Sequence, residues 1–483
     1  MPLFCLCVSE MKTYLFYDIE TSGLNPAFDQ ILTFAGIRTD LHFREISRQS
    51  VIIRLRKDIV PSPKAFLTHW LKNDDLTLGI NEYEAAQIIH KIVNMPGTIS
   101  LGYNSLGFDD EFLRFMFYRN LLDPYSHQYG NGCSRMDVLP ITVVFRVFHP
   151  ESLKWPEVDG KPSLKLDLIT RENNLTTSGR AHEAMNDVES VIELSKKLFQ
   201  EETIWNYCLD FFDKTKEEAR INSIKSDFNI QDRYFKVCIM ISLSFGSKIN
   251  YMAPVIHLGQ SLPYKNQSLW LRLDSESIPG FGNELSTDDA HVIRKRSGDG
   301  LIILPALDRF WNKMPVFSKQ FSDENLGKIR KDWKKFFDYI RYNLEYKYPY
   351  IPDIDPDAAL YQDGFFSIKE KKQCELFHKT RNDLKHGIID QIQSLRIRAL
   401  VLRILDRNFL EESFNTKSKD YQRHLSRLRS LSEGDKIKGY RGDTKYDRSQ
   451  GLAELIELEN TSTNCDTHQK EMMNWLKEYI KKF

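Results

Sequence analysis

The chain has 483 residues, too many for one hydrophobic core, and its length predicts two to four domains. Lys+Arg and Asp+Glu both number 67, so the formal net charge is zero and nucleic-acid binding would require a local basic groove. Seven cysteines show no zinc-pair spacing, and the odd count argues against a disulfide framework. Reduced thiols indicate a cytoplasmic protein. No apolar run approaches the ~20 residues of a membrane span, so we expect no membrane association.

The first part of the chain alternates strand and helix patterns. Residues 14–20, 31–38 and 50–56 are rich in β-favouring residues and predict an antiparallel meander. Helices are predicted at 82–94, 108–120, 134–148 and 184–199, with a short strand at 98–103. This order predicts a mixed α/β domain over residues 1–200.

The pattern changes after residue 200. Short β-like pieces at 235–245, 251–258, 268–273 and 301–304, followed by a helix at 323–346, predict a small β-rich domain over 201–352. Pro349 and Pro352 mark a linker. Residues 353–483 contain few glycines and predict a helical C-terminal domain.

Two alternating carboxylates end the first strand. Side chains two residues apart in a strand project to the same face, so Asp18 and Glu20 point together. Adjacent carboxylates repel unless a cation or proton lies between them, and hard oxygen ligands suit Mg²⁺. Taken alone, the pair is more often a strand end that carries two solvated acids, because Asp-x-Glu is a common sequence.

Three later residues extend this pair. Asp109 begins a helix directly after a strand, although an acid in a first helical turn is also favoured by the helix dipole. His182 and Asp187 are five residues apart and do not share a helix face. If His182 lies in the loop before the helix, it can reach a metal site held by Asp187.

Phosphodiester hydrolysis requires charge neutralisation on both the attacking and the leaving oxygen, which two metal ions provide. Asp18, Glu20, Asp109 and Asp187 are sufficient to hold two Mg²⁺ ions, with Asp18 as the bridge and Mn²⁺ as a possible substitute. A neutral histidine can take a proton from the attacking water at physiological pH, which is the role predicted for His182.

This order of residues resembles the DEDDh 3′→5′ exonucleases, which have an RNase H-like fold. The similarity includes Phe16-Tyr17-Asp18-Ile19-Glu20-Thr21, Leu101-Gly102-Tyr103-Asn104, Phe108-Asp109-Asp110-Glu111 and Ala181-His182 with Asp187-Val188. It continues into Lys313-Met314-Pro315-Val316 and Gly364-Phe365-Phe366-Ser367, which resemble the SH3-like and helical domains of the three-domain members.

The resemblance implies a Mg²⁺-dependent hydrolase that degrades single-stranded DNA from its 3′ end to nucleoside 5′-monophosphates, in DNA repair and recombination. It also implies enclosure of the strand by three domains and docking of the acidic tail of single-stranded DNA-binding protein. We expect a monomer. Two alternatives stay open: a 3′→5′ exoribonuclease, and a non-catalytic strand-binding or partner-binding protein on the same scaffold.

Candidate DNA contacts lie in and near the matching motifs. Phe66 and Leu67 can stack on the terminal base or form helix core. The other candidates are Tyr103 and Asn104, and Arg114, Arg119 and Arg135, for which a structural contact is the alternative. Basic runs at 294–296, at 330–335 and along Arg396, Arg403 and Arg407 are further candidates, with a solvated helix face as the alternative for each.

Overall fold

The computed structural model of the protein describes residues 12–71, 73–175, 183–276, 291–409, 417–430, 432–461 and 466–483. These residues form two five-stranded sheets, two small two-stranded sheets and a helical C-terminal part. Across the described ranges, no helix has the length and apolar character needed to cross a membrane.

The first sheet has the order β3-β2-β1-β4-β5. Its strands are β1 (Thr13–Thr21), β2 (Ile31–Thr39), β3 (Glu45–Ile52), β4 (Thr98–Leu101) and β5 (Ser134–Arg135). Strands β1 to β3 pair antiparallel, which confirms the meander, whereas β4 pairs parallel to both β1 and β5. Strand β3 begins before the predicted 50–56 because it is an edge strand whose first residues are polar and largely exposed.

Helices cover both faces of this sheet. They are α1 (Pro63–His69), α2 (Asn73–Leu78), α3 (Glu82–Val93), α4 (Asp109–Arg119), α5 (Ser126–Tyr129), α6 (Val138–Phe148), α7 (Leu166–Glu172) and α8 (Ala184–Phe199), with a hairpin of β6 (Glu157–Val158) and β7 (Lys161–Pro162). The predicted helix at 134–148 begins only at residue 138, because Asp137 caps it and Ser134–Arg135 join the sheet.

The middle part is built on an antiparallel sheet of order β13-β12-β11-β10-β14. Its elements are α9 (Glu202–Leu209), α10 (Lys214–Ser223), β8 (Phe228–Ile230), β9 (Arg233–Phe235), β10 (Val237–Ile241), β11 (Met252–Gln260), β12 (Gln267–Arg272), β13 (Val292–Arg296), β14 (Ile302–Pro305), α11 (Asp308–Trp311), α12 (Val316–Lys331) and α13 (Trp333–Glu345). The predicted helix at 323–346 is wrong as one element, since it breaks at Asp332. Strand β13 was not predicted.

The C-terminal part is helical, as predicted. Its α-helices are α14 (Leu360–Asp363), α15 (Ile368–Lys379), α16 (Leu395–Asn408), α17 (Lys419–Arg427), α18 (Arg448–Thr461) and α19 (Thr467–Lys481). It packs on the outer side of α4, where the rings of Phe115 and Tyr361 lie 5.4 Å apart and those of Tyr118 and Phe366 lie 5.5 Å apart. Helix α4 is therefore buried between the first sheet and the C-terminal helices.

Candidate active site

The opening carboxylates lie at the C-terminal end of β1. Leu15, Tyr17 and Ile19 face the core beneath α3 and α4, so the intervening residues face the opposite side of the sheet. Asp18 and Glu20 lie on that opposite face and are half-buried. The β4 partner of β1 ends at Leu101, opposite Phe16, so the two carboxylates extend beyond the parallel pairing. The strand geometry confirms that they share a face.

Helix α8 carries the third carboxylate to the same face. Its apolar side, including Ala184, Val188 and Val191, packs into the core beneath β1. Asp187, in its first turn, thereby meets Asp18 and Glu20, and one carboxylate oxygen from each of the three lies within 4.8 Å of the others. Asp18 and Asp187, which are 169 positions apart in sequence, thus belong to one acidic group.

Asp109 reaches this end of the sheet from the other face. It is buried at the N-terminus of α4, and its Oδ1 accepts a hydrogen bond of 3.2 Å from the backbone N–H of Ile19. Because β4 has already ended, this N–H donates to a side chain instead of to a strand. Asp109 is therefore attached to β1 between Asp18 and Glu20.

The site is electrostatically unfavourable for unneutralised carboxylates. Burial, followed by the charges of Asp109, Glu20 and Asp187, raises the pKa of Asp18 well above its usual value. Burial and the charge of Asp187 raise the pKa of Glu20 to about 9, and burial raises the pKa of Asp109 to about 8. A cation at this position would offset the repulsion between the carboxylates and favour their ionised forms.

The donor set fits a hard divalent cation. Three carboxylates offer converging oxygens, and a fourth carboxylate is bonded to the strand between them. Oxygen-only ligands are typical of Mg²⁺, Ca²⁺ and Mn²⁺ sites. Among the residues that the structure describes, this is the group of acidic, histidine or cysteine side chains whose spacing suits a metal ion.

The predicted base, His182, lies outside the described residues. They resume at Glu183, directly before α8. The role of His182 therefore stays a prediction.

Two further acids support the site and had no role assigned from the sequence. Asp137 accepts hydrogen bonds of 2.9–3.0 Å from the backbone N–H groups of Asn104, Leu106 and Leu139, and so fixes the loop that leads to Asp109. Asp110, the next residue, is buried and pairs with Arg114, Arg135 and His127. The Asp110–Arg114 spacing of four residues on a helix was the available signal.

Several predicted DNA contacts lie elsewhere. Phe66 is fully buried, with its ring 5.4 Å from that of Trp475, so the helix-core alternative is correct. Leu67 packs at the edge of the same cluster. Arg119 is buried against Glu82 at 2.7 Å and cannot reach DNA, so that prediction is wrong.

The remaining candidates lie close to Asp109. Arg114 is buried and engaged by Asp110 and Glu111, which leaves it a structural role. Arg135 pairs with Asp110 but keeps part of its side chain exposed. The Tyr103 hydroxyl donates to the Leu164 carbonyl at 2.6 Å, and Asn104 is exposed. Arg135 and Asn104 therefore stay candidate DNA contacts.

Three residues of the predicted basic runs are buried in ion pairs. Lys295 is buried and paired with Glu217 and Asp299, both at 2.7 Å. Arg403 and Arg407 are buried among Asp355, Asp357 and Asp58. A solvated helix face and a DNA contact are both excluded for these three, because charges inside a protein require partners.

Residues 15–195 match the RNase T exonuclease family model, and this span contains the carboxylate site. The first part of the chain is therefore an exonuclease domain, and the protein is a nuclease.

The whole chain has more specific relatives. It is 28% identical to "Exodeoxyribonuclease I" of Escherichia coli (strain K12), over 89% of this chain and 92% of the relative. It is also 28% identical to the protein of that name from Buchnera aphidicola subsp. Schizaphis graminum, over 84% and 86%. The chain is thus similar to exodeoxyribonuclease I over most of its length.

Solved structures show the same fold. The E. coli exonuclease I complex with a dA16 oligonucleotide superposes with a TM-score of 0.80 at 24% identity, covering 98% of this chain and 99% of that chain. The exonuclease I from Methylocaldum szegediense gives the same TM-score and coverage. The mixed α/β fold is thus shared along the whole chain.

Proposed function

We propose that the protein is a 3′→5′ exonuclease that hydrolyses single-stranded DNA to nucleoside 5′-monophosphates and acts in DNA repair and recombination. The observation that carries this proposal is the convergence of Asp18, Glu20 and Asp187, with Asp109 bonded to the same strand, inside an exonuclease domain. The polarity of digestion follows from the resemblance of these residues to the DEDDh motifs.

The cofactor in this proposal is Mg²⁺, in two ions, with Mn²⁺ as a substitute. Asp18, Glu20 and Asp187 would hold one ion, and Asp18 and Asp109 would hold the other. Bound there, two divalent cations supply charge neutralisation to the attacking and leaving oxygens of the phosphodiester.

The side chains have separate tasks. Asp109, pinned to the Ile19 N–H, keeps the carboxylates of β1 and α4 in fixed relation. Asp137 holds the loop before Asp109 in place. His182, which precedes α8 in the sequence, takes the proton from the attacking water, a role that a neutral imidazole can fill at physiological pH.

Related structures support DNA as the substrate. The E. coli exonuclease I structures include complexes with dA16 and with a 5cy-dT13 oligonucleotide, both single deoxyribonucleotide strands. The carboxylates do not themselves distinguish the sugars, because that choice depends on contacts to the 2′-OH.

We further propose three domains with boundaries 1–200, 201–352 and 353–483, the middle one SH3-like, in a cytoplasmic monomer.

The partner would be single-stranded DNA-binding protein, through its acidic tail. A cavity of about 200 Å³ lined by Arg146, Tyr251 and Lys313 offers cationic and aromatic side chains to such a tail. A labelled tail peptide should bind the wild type and bind Lys313→Ala more weakly.

Digestion of a 3′-labelled oligothymidylate with and without EDTA tests the activity. The wild type should release labelled mononucleotide only with Mg²⁺ or Mn²⁺, and faster from single than from double strands. Asp18→Asn should be inactive. Asp75→Asn, which changes an exposed residue of α2, should behave as the wild type does. Release of labelled mononucleotide by Asp18→Asn at the wild-type rate would contradict the proposal.

The same assay separates the two alternatives. An oligouridylate digested faster than the DNA would indicate an exoribonuclease. Tight DNA binding with no turnover in either metal would indicate a binding protein on the same scaffold. The four assembled carboxylates favour the enzyme over the binding protein.

A further inference from the structure

Strand pairing alone does not fix the end of β1 that carries Glu20. The pairing of β1 with β2 shifts its register between Glu20 and Thr21. Such an irregularity lets a strand bend at that point. The chain then turns back before β2 begins at Ile31, and we call residues 21–30 the Glu20 turn. The position of the Glu20 carboxylate therefore depends on what holds the Glu20 turn.

Asp29 organises this turn from inside. Its buried carboxylate accepts hydrogen bonds from the Ser22 hydroxyl at 3.0 Å and from the Asn25 backbone N–H at 2.9 Å. A Cβ atom at Gly23 would lie 2.5 Å from the same carboxylate, so the chain passes too close to it for a side chain. The Ser22 N–H donates to the Gln30 carbonyl at 2.9 Å. The Glu20 turn is thus tied together as one unit.

The C-terminal part of the chain holds this unit at Asn25. The side-chain amide of Asn25 donates to Oδ2 of Asp443 at 2.5 Å, and its Oδ1 accepts from the Ala27 N–H at 3.1 Å. Asp443 is itself fixed in a tight turn. The Gly439 N–H donates to its carbonyl at 2.8 Å, and the Arg441 N–H donates to its Oδ1 at 3.1 Å. A fixed carboxylate therefore meets the Glu20 turn.

A second contact reaches the turn through the start of α1. Glu454 of α18 accepts from the Ser62 hydroxyl at 3.1 Å and from the Lys64 backbone N–H at 2.9 Å. The Ser62 N–H donates to the Ser22 carbonyl at 2.8 Å. The Tyr446 hydroxyl also donates to Glu454. Residues 443–454 thus hold the Glu20 turn from two directions.

Other contacts join the C-terminal part to the exonuclease domain. Asp58 and Arg407 form a buried ion pair at 2.7 Å, and the rings of Tyr118 and Phe366 lie 5.5 Å apart. One half-buried hydrogen bond adds little to an interface of this kind. Loss of the Asp443 contact should therefore loosen the Glu20 turn without separating the two parts.

We propose that Asp443 is a positioning residue of the exonuclease reaction, supported by Glu454. Through Asn25 it holds the Glu20 turn, and so keeps the Glu20 carboxylate directed at the metal ion. Groups that orient a metal ligand without touching the metal typically change metal affinity or activity by roughly 10–100-fold. The C-terminal part thereby contributes to catalysis. This inference rests on the proposed function and deepens it.

Two measurements on the full chain test this role. Asp443→Ala should raise the Kd for Mn²⁺, measured by calorimetry without DNA, about tenfold, and should lower kcat for nucleotide release from dT20 with Mg²⁺ by a similar factor. The affinity for fluorescein-labelled dT20 in EDTA should not change, because Asp443 is assigned no contact with the strand. Glu471→Ala, which removes an exposed acid of α19, is the control and should match the wild type in all three measurements.

A reciprocal exchange separates positioning from a general loss of packing. Asn25→Asp keeps the acceptor for the Ala27 N–H but sets a carboxylate against that of Asp443. It should be at least as defective as Asp443→Ala. Adding Asp443→Asn to Asn25→Asp restores one donor and one acceptor with their roles reversed. The double variant should regain most of the Mn²⁺ affinity and kcat.

Three results would overturn the proposal. The first is a wild-type Mn²⁺ affinity and kcat for Asp443→Ala, and the second is a double variant no better than Asn25→Asp alone. The third is a loss of dT20 affinity in Asp443→Ala equal to its loss of rate, which would assign Asp443 to strand binding. If the wild type binds Mn²⁺ but releases no nucleotide, the proposed function fails, and the Mn²⁺ affinities of the variants still decide the role of Asp443.

Discussion

Single residues at this site are placed where their charged form is disfavoured. Asp18, Glu20 and Asp109 are acids whose pKa values burial and mutual repulsion raise. Replacing one of them by a neutral side chain would relieve the repulsion, so the group is kept at a cost in stability. Sites that retain such a cost are typical of function, since structural carboxylates are ordinarily paired with cations.

His182→Ala should lower the rate of mononucleotide release by roughly 10²–10⁴-fold, the usual contribution of a general base. The affinity for fluorescein-labelled dT20, measured by anisotropy in EDTA, should stay unchanged, because the imidazole is assigned to proton transfer. Single-turnover rates across pH 5–8 check this. The variant should lose the acidic limb that the wild type shows. A loss of dT20 affinity equal to the loss of rate would indicate a structural role instead.

Glu82 shows the opposite electrostatic situation. Burial alone would raise its pKa, but Arg119 and Arg56, each 2.7 Å away, outweigh burial and hold the pKa at about 2. A depressed pKa stabilises the fold above the unfolded value of about 4.5, and this stabilisation is lost as the pH falls towards 2. Glu82→Gln should cost about 3 kcal/mol at pH 7.

Urea unfolding at pH 7 and at pH 3 measures this cost. The difference between wild type and Glu82→Gln should shrink at pH 3, where the wild-type carboxylate has lost most of its advantage. Glu84→Gln, an exposed neighbour on α3, serves as the control and should change stability little at either pH. A deficit independent of pH would contradict the ion-pair explanation.

The carboxylates of the candidate site could be predicted from the sequence better than the arginines that were expected to contact DNA. Asp18, Glu20, Asp109 and Asp187 could be assigned because strand alternation and helix position constrain where such side chains point. Arg119 and Arg407 could not, since a sequence does not reveal that a charge is buried; their partners, Glu82 and Asp58, are distant along the chain. Arg119 was assigned because it lies within a matching motif, and Arg407 because helical spacing places it on one face with Arg396 and Arg403.

Among the elements, α4 explains both what could be predicted and what could not. Its sequence predicted a helix with acids at its start, and the structure confirms one at Asp109–Arg119. Nearly every residue of it is buried, because the sheet covers one side and the C-terminal helices the other. Strand β13 was missed because its arginines and lysine hide the alternation that a strand on a sheet edge shows.

Helix α1 depends on the same kind of long-range packing. Phe66 lies between α1 and α19, against Trp475, and no part of it is exposed. Phe66→Ala should therefore destabilise the protein by about 3–5 kcal/mol through the cavity it leaves. The affinity of the folded protein for dT20 should not change.

Urea unfolding and dT20 anisotropy together decide between packing and base stacking for Phe66. Leu78→Ala, which truncates an exposed residue of α2, is the control and should leave both measurements as in the wild type. Weakened DNA binding without lost stability would restore the stacking role that the sequence left open.

At the scale of the whole molecule, a buried ion network joins the exonuclease domain to the C-terminal helices. Asp58 of the exonuclease domain accepts from Arg407 of α16 at 2.7 Å and from Lys445 at 3.3 Å. Arg407 also pairs with Asp357 at 2.5 Å. The network is therefore a joint between the C-terminal helices and the exonuclease domain.

Arg407→Met should open that joint. It keeps the volume of the side chain but leaves Asp58 and Asp357 without their shared cation, at a cost of about 3–5 kcal/mol. The C-terminal helices should then separate from the rest of the protein.

Limited proteolysis should cut the Arg407→Met variant faster between residues 346 and 355, as mass spectrometry of the fragments will show. Arg398→Met, on the same helix but paired with the exposed Asp390, should resist cleavage like the wild type. Equal resistance of both variants would mean that apolar packing around Phe115 and Tyr361, not the ion network, holds the two parts together.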